Sequence, residues 1–192
     1  MPKKFYISDW HYGHANVIAF DNRPFKTVDE MNEALINNWN SAVSKGDIVY
    51  VLGDMFWNNA TDAAAILRNM NGQKFLVQGN HDRINEVFRK SFISVEPYME
   101  VEDNGRHVVL SHYPIPFYKK QHDGWYHLYG HVHNSYEWHM TEHLKSLTED
   151  LRQKEFPMYN VGAMMPYMKY TPRTLDDIAA SYKQWKENND VF

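Results

Sequence analysis

Cysteine is absent from the chain. That excludes a disulfide framework, a thiolate metal site and a thiol redox switch. Positive charge is not in excess either: 20 Lys and Arg stand against 24 Asp and Glu, for a net charge of −4 and a pI near 6.2. A protein that coats nucleic acid or anionic lipid non-specifically needs the opposite balance, although a local basic patch is compatible with this one. No run approaches the roughly 18 consecutive apolar residues of a membrane span. The start, Met1-Pro2-Lys3-Lys4, is positive, but polar Ser8-Asp9 arrives before any apolar h-region develops, so no secretory signal is read. Repeats, low-complexity tracts and linkers are lacking as well. The expectation is a soluble, cytoplasmic single domain, 1–192, of a length that buries a real core.

What the sequence does have is 43% hydrophobic residues, 15% aromatics and 11 histidines. The number of histidines makes ligation the first question. The chain also has a recurring device: a short apolar run that ends in a carboxylate, amide or imidazole. Lys74-Phe75-Leu76-Val77 leads into Gly79-Asn80-His81-Asp82. Asp9 and His11 follow Lys4 to Ile7, Gly53-Asp54 follows Ile48 to Leu52, His112 follows His107 to Ser111, and Gly130-His131-Val132-His133 follows Trp125 to Tyr129. Such groups make a poor core and a good site, because loops at strand ends carry function on a rigid scaffold.

Taken in order, residues 3–8 read as a first strand and 15–26 as irregular. Thr27 opens a helix, with Glu30 completing a capping box and Val28, Met31, Leu35 and Trp39 on one stripe. A strand from Asp47 or Ile48, a helix over 61–70, a strand over 74–78 and a short helix near 83–90 follow. The βαβαβ order predicts a predominantly parallel sheet covered by helices. Beyond it, 98–102 and 106–111 flank Asp103-Asn104-Gly105, a hairpin signal, and this half is expected to be antiparallel. Residues 112–125 form a long connection. A strand over 125–130, a helix over 141–154 with Leu144, Leu147 and Leu151 on its face, a strand over 158–162 and a final helix capped by Thr174 complete the reading.

Asp9, His11, Asp54, Asn80, His112, His131 and His133 are oxygen and nitrogen donors suited to divalent first-row metals. They exceed the needs of one ion and suit two. A pair of ions about 3.5–4 Å apart can clamp an in-line displacement at phosphorus, and a hydroxide between them is a nucleophile at neutral pH. The ordered blocks Asp9-Trp10-His11, Gly53-Asp54, Gly79-Asn80-His81-Asp82, His112 and Gly130-His131-Val132-His133 resemble the calcineurin-like metallophosphoesterases. The stretch from His14 to Phe25 and Asn160-Val161-Gly162 resemble a small bacterial and phage branch of that superfamily.

The resemblance implies a fold of two mixed β-sheets packed face to face with helices outside, a four-layer αββα arrangement. It implies that Asp9, His11 and His133 bind one metal, that Asn80, His112 and His131 bind the other, and that Asp54 bridges. It gives His81 the role of proton donor to the leaving oxygen, with Asp82 orienting its ring. Two divalent ions (Mn, Fe, Zn or Ni, with Mn favoured) and a small phosphodiester substrate follow from it. A nuclease of the same superfamily is the enzymatic alternative, although this compact, net negative chain offers little extra nucleic-acid surface. A non-catalytic metal-binding scaffold is the other, and the intact His81 speaks against it. His14 and Arg23 are candidate substrate contacts. A loop role for His14 and a structural salt bridge for Arg23 are equally open. Asp82 also suits an N-cap. His122, His139 and His143 have no motif around them, and His107 and His127 sit within strands.

Overall fold

The computed structural model describes residues 2–57 and 60–189. Among the described residues, eight short strands form two four-stranded sheets. The first contains β1 (Lys4–Ile7), β2 (Ile48–Val51), β3 (Gln73–Val77) and β4 (Ser94–Glu96), side by side in chain order and parallel throughout. The second contains β5 (Tyr98–Asp103), β6 (Arg106–Ser111), β7 (Tyr126–Tyr129) and β8 (Met158–Asn160). Only the β5–β6 hairpin is antiparallel. The pairs β6–β7 and β7–β8 are parallel, so the second half is mixed rather than antiparallel. The physical reason is the connections: parallel neighbours need a crossover of a dozen or more residues, and 112–125 supplies the first.

Six α-helices accompany the sheets among the described residues: α1 (Ala15–Phe20), α2 (Val28–Ala42), α3 (Ala60–Leu67), α4 (Glu86–Arg89), α5 (Tyr136–Arg152) and α6 (Leu175–Asn189). Thr27 caps α2 by accepting from the Glu30 N–H at 3.1 Å, while Glu30 accepts from the Lys26 N–H at 2.8 Å. Met31, Leu35 and Trp39 are fully buried along its stripe. Thr174 caps α6 by the same logic, accepting from the Asp177 N–H at 3.2 Å. Residues 15–20, expected to be irregular, form α1; six residues with only Val17 buried and no side-chain cap leave no period to read.

The helix expected over 141–154 starts at Tyr136, where Ser135 accepts from the Glu137 N–H at 3.1 Å. Its inner face is also different. Trp138, Glu142 and Lys145 are buried, whereas Leu147 is 48% and Leu151 79% exposed. Lys145 donates to the Met158 carbonyl at 3.0 Å and lies over the rings of Tyr159 and Tyr182. Tyr182 donates to Glu142. Neighbouring elements thus satisfy polar groups that a hydrophobic stripe leaves out.

One contiguous apolar cluster draws Tyr6, Val49 and Leu76 from the first sheet and Val108, Leu128 and Met158 from the second. The Tyr6 hydroxyl donates across it to Asp103 at 3.0 Å. At one edge the sheets are stitched together. Ser8, just past β1, pairs in parallel with Gly162, just past β8, through Ser8 N–H to Val161 O at 2.9 Å and Ala163 N–H to Ser8 O at 2.8 Å. That stitch brings the carboxyl ends of β1, β2 and β3 against those of β6 and β7.

Candidate metal centre

The proposed ligands meet at this junction. Asp9 and His11 follow β1, Asp54 follows β2, Asn80 follows β3, His112 follows β6, and His131 and His133 follow β7. Five of them adopt left-handed backbone: Asp9 (φ 53°), His11 (51°), Asp54 (52°), His131 (69°) and His133 (47°). Each such residue costs about 1–3 kcal/mol and persists where the surroundings over-determine it. Two glycines make the close approach feasible. A Cβ at Gly79 would collide with the Asp54 carboxylate, and one at Gly130 would collide with Ser8 and the Asp9 carboxylate.

Ligand atoms of Asp9, His11 and His133 lie within 4.8 Å of one another, and so do those of Asp9, Asp54 and His112. Asp54 Oδ2 stands between the groups, 3.9 Å from His11 Nε2 and 3.5 Å from His112 Nε2. Asn80 Oδ1 is 2.9 Å from both His112 Nε2 and His131 Nδ1. His11 Nε2 is buried without a hydrogen-bond partner among the described residues. Two carboxylates, an amide oxygen and imidazole nitrogens converging on one spot fit divalent cations of intermediate hardness.

The outer partners fix which imidazole nitrogen faces inward. His112 Nδ1–H donates to the Leu52 carbonyl at 2.7 Å, which turns Nε2 to the cluster. His133 Nδ1–H donates to Asp21 at 2.7 Å, and its Nε2 is 3.6 Å from Asp9 Oδ1. His11 Nδ1 is 3.3 Å from His14 Nδ1, so His14 orients His11. Such partners set tautomer and ring position. Burial, reinforced by His133 and Arg23, pushes His11 down to about 3, leaving its lone pair free. Burial also acts to lower His112, but its bond to Asp54 and the charge of Asp9 outweigh it and lift the ring to about 9.

Several expectations change here. Among the described residues, Asp82 makes no hydrogen bond to the His81 ring. Its oxygens accept from the backbone N–H groups of Gly79 (2.8 Å), Asp54 (3.0 Å) and Met55 (3.1 Å), which ties the β2 and β3 loops together. Nor is it an N-cap, a place that Asn85 takes for α4. Arg23 is buried and does not reach out for a phosphate. Its Nε and Nη2 grip Asp21, and Nη1 and Nη2 donate to the carbonyls of Trp10 and Asp9. The structural alternative is therefore what Arg23 provides, holding Asp21 under His133. His81 is exposed at the rim, its N–H donating to Asp54 at 2.8 Å. His14 stacks on Trp57, centroids 3.8 Å apart.

Asp21 and Trp57 were not legible as site residues. Asp21 reads as turn chemistry, and only the fold brings it to His133. Trp57 ends an apolar run, Met55-Phe56-Trp57, just past the Gly53-Asp54 block, and that position is the signal the sequence offers; the structure leaves it 41% exposed. A separate cavity of about 1050 Å³ near α5 and α6, lined by Lys145, Tyr159 and Tyr182 among others, holds none of the converging ligands.

Residues 5–163 match the calcineurin-like phosphoesterase family, a span that includes every donor named above. The chain belongs to that family. An uncharacterized protein of Methanocaldococcus jannaschii is 35% identical over 193 residues, covering 97% of this chain and 94% of its own. The gene 66 protein of Mycobacterium phage D29 is 33% identical over 132 residues, 59% of this chain and 65% of that one. A solved protein of unknown function from Aquifex aeolicus, 24% identical, matches with a TM-score of 0.68 over 94% of this chain and 99% of that one, and so shares the fold. The two sheets with flanking helices are thus the metallophosphoesterase fold, and the Asp and His clusters are consistent with the divalent metal binding typical of this family. Among the described residues, no helix is long and apolar enough to cross a membrane.

Proposed function

We propose that this phosphoesterase-family chain is a dinuclear metal-dependent phosphodiesterase acting on small nucleotide-like or other organic phosphodiesters. The observation that carries the reading is the position of Asp54, between an Asp9–His11–His133 group and a His112–Asn80–His131 group, with His81 next to it at the rim. In this reading Asp9, His11 and His133 would hold one ion, Asn80, His112 and His131 would hold the other, and Asp54 would serve both. Divalent ions bound there, Mn²⁺ by preference, supply Lewis acidity toward a phosphoryl oxygen and lower the pKa of water.

The chain's own residues do the rest. Asp21, His14 and the Leu52 carbonyl keep the donor nitrogens aimed. Asp82 locks the loop of Asp54 to that of His81. His81 would give a proton to the leaving oxygen as its bond to phosphorus breaks, while the oxygen of a water takes its place and that water's proton passes to solvent. The test is a panel of bis-p-nitrophenyl phosphate, p-nitrophenyl phosphate, cyclic nucleotides and single-stranded DNA, assayed with Mn²⁺ or with chelator. Diester hydrolysis that chelation abolishes and Mn²⁺ restores is expected. Absence of turnover on every ester by metal-loaded protein counts for the scaffold alternative.

A further inference from the structure

Resting on the phosphodiesterase reading, we infer that Trp57 and Arg83 form a base-stacking subsite beside His81, so that the preferred substrates are nucleoside phosphodiesters. A cavity of about 190 Å³ opens next to the metal centre, lined by Trp57, Asn80, His81, Asp82 and Arg83. That is below the roughly 300–1,000 Å³ of a pocket that engulfs a whole ligand, so it suits one moiety of a substrate whose phosphate lies on the centre. The walls specify which moiety. Trp57 is 41% exposed, and its ring centroid lies 4.9 Å from that of His81.

Trp57 is a fixed platform rather than a stray surface aromatic. Its backbone N–H donates to the Tyr12 carbonyl at 2.9 Å, and its ring lies parallel to His14, 5° off plane. The line of rings continues from His14 to Phe20, 6.1 Å away and 75% exposed. Arg83 borders the same opening on the exposed surface, and among the described residues its guanidinium makes no ion pair or hydrogen bond. A held π-face with a free cation beside it matches a flat aromatic base attached to an anionic phosphate. Stacking of this kind tolerates any base, so the subsite selects nucleosides as a class.

The experiment is calorimetric titration of the Mn²⁺-loaded protein with adenosine 5′-monophosphate and with ribose 5-phosphate, which differ only in the base. Stacking predicts that the nucleotide binds roughly 5- to 100-fold more tightly. Trp57→Leu should bring the ratio close to one, Trp57→Phe should keep most of it, and Arg83→Gln should weaken both ligands by a similar factor. With diamagnetic Zn²⁺ in place of Mn²⁺, the indole resonance of Trp57 in the wild-type protein should shift with the nucleotide and not with the sugar phosphate. Equal affinities in the wild type, no binding of either ligand, or a ratio that survives Trp57→Leu would overturn the inference. The two readings fail separately. Chelator-sensitive hydrolysis of bis-p-nitrophenyl phosphate with a ratio of one removes the subsite alone, and a preserved ratio without any diesterase activity removes the catalytic reading alone.

Discussion

Asp82 gathers three backbone N–H groups, from Gly79, Asp54 and Met55, onto two buried oxygens. Hydrogen bonds to a charged acceptor are worth about 1.5–3 kcal/mol each. Asp82→Ala should therefore lower the unfolding free energy by at least about 2 kcal/mol and weaken metal retention, because Asp54 loses its anchor. A variant with unchanged melting and unchanged metal content that lost only turnover would return Asp82 to the task of orienting His81. His81→Ala should do the reverse, keeping metal and stability while losing about 10²–10⁴-fold in kcat, the usual worth of a general acid. Near-wild-type turnover would take the proton-donor role away from it. At this scale the donors were legible because each ends an apolar run. Two of the residues around them were not, and a third was read with the wrong partner: Asp21 and Trp57 act through contacts made 112 and 43 positions away, on His133 and His14, and Asp82, legible in its motif, holds Asp54, 28 positions away, instead of the His81 ring.

Helix α5 shows how an element can be read in the right place and on the wrong face. Leu144, Leu147 and Leu151 form the obvious stripe, yet the helix packs through Trp138, Glu142 and Lys145. Leu151→Gln should change the unfolding free energy by no more than about 0.5 kcal/mol, as surface substitutions do, whereas Trp138→Ala should cost about 3–5 kcal/mol. Comparable losses in chemical denaturation would contradict this facing.

Strand β7 carries a pH signature of its own. His127 is fully buried, its Nδ1–H donating to the Val109 carbonyl at 3.1 Å and its Nε2 accepting from the Ile115 N–H at 3.0 Å. Burial pushes it down to about 4 against an ordinary 6.5. The unfolded chain takes the proton first as pH falls, so the folded state is fully favoured above 6.5 and loses stability between 6.5 and about 4. Unfolding free energies measured across that window should fall more steeply in the wild type than in His127→Gln. Parallel slopes would show that His127 is not held neutral.

Across the whole molecule, the parallel first sheet follows from the βαβαβ order, and the helices between its strands leave their carboxyl ends on one side. The convergence of two sheets was not readable from periodicity. It depends on the Ser8–Gly162 stitch, which joins residues 154 positions apart, and on the parallel pairing of β6, β7 and β8, which the hairpin signal at Asn104-Gly105 obscured. β4 is three residues long, Ser94-Val95-Glu96, and carries too little β-propensity to announce itself. The family pattern supplied the two-sheet expectation, and the strand-end chemistry supplied the place where the sheets had to meet.

Metal content of the purified protein, loaded with Mn²⁺ and freed of excess, tests the centre most directly when wild type and Asp54→Asn are compared by elemental analysis. The shared-carboxylate account predicts two equivalents in the wild type and loss at both positions in the variant, since one negative oxygen donor serves both donor groups. Two full equivalents in Asp54→Asn, or no metal in the wild type, would contradict it.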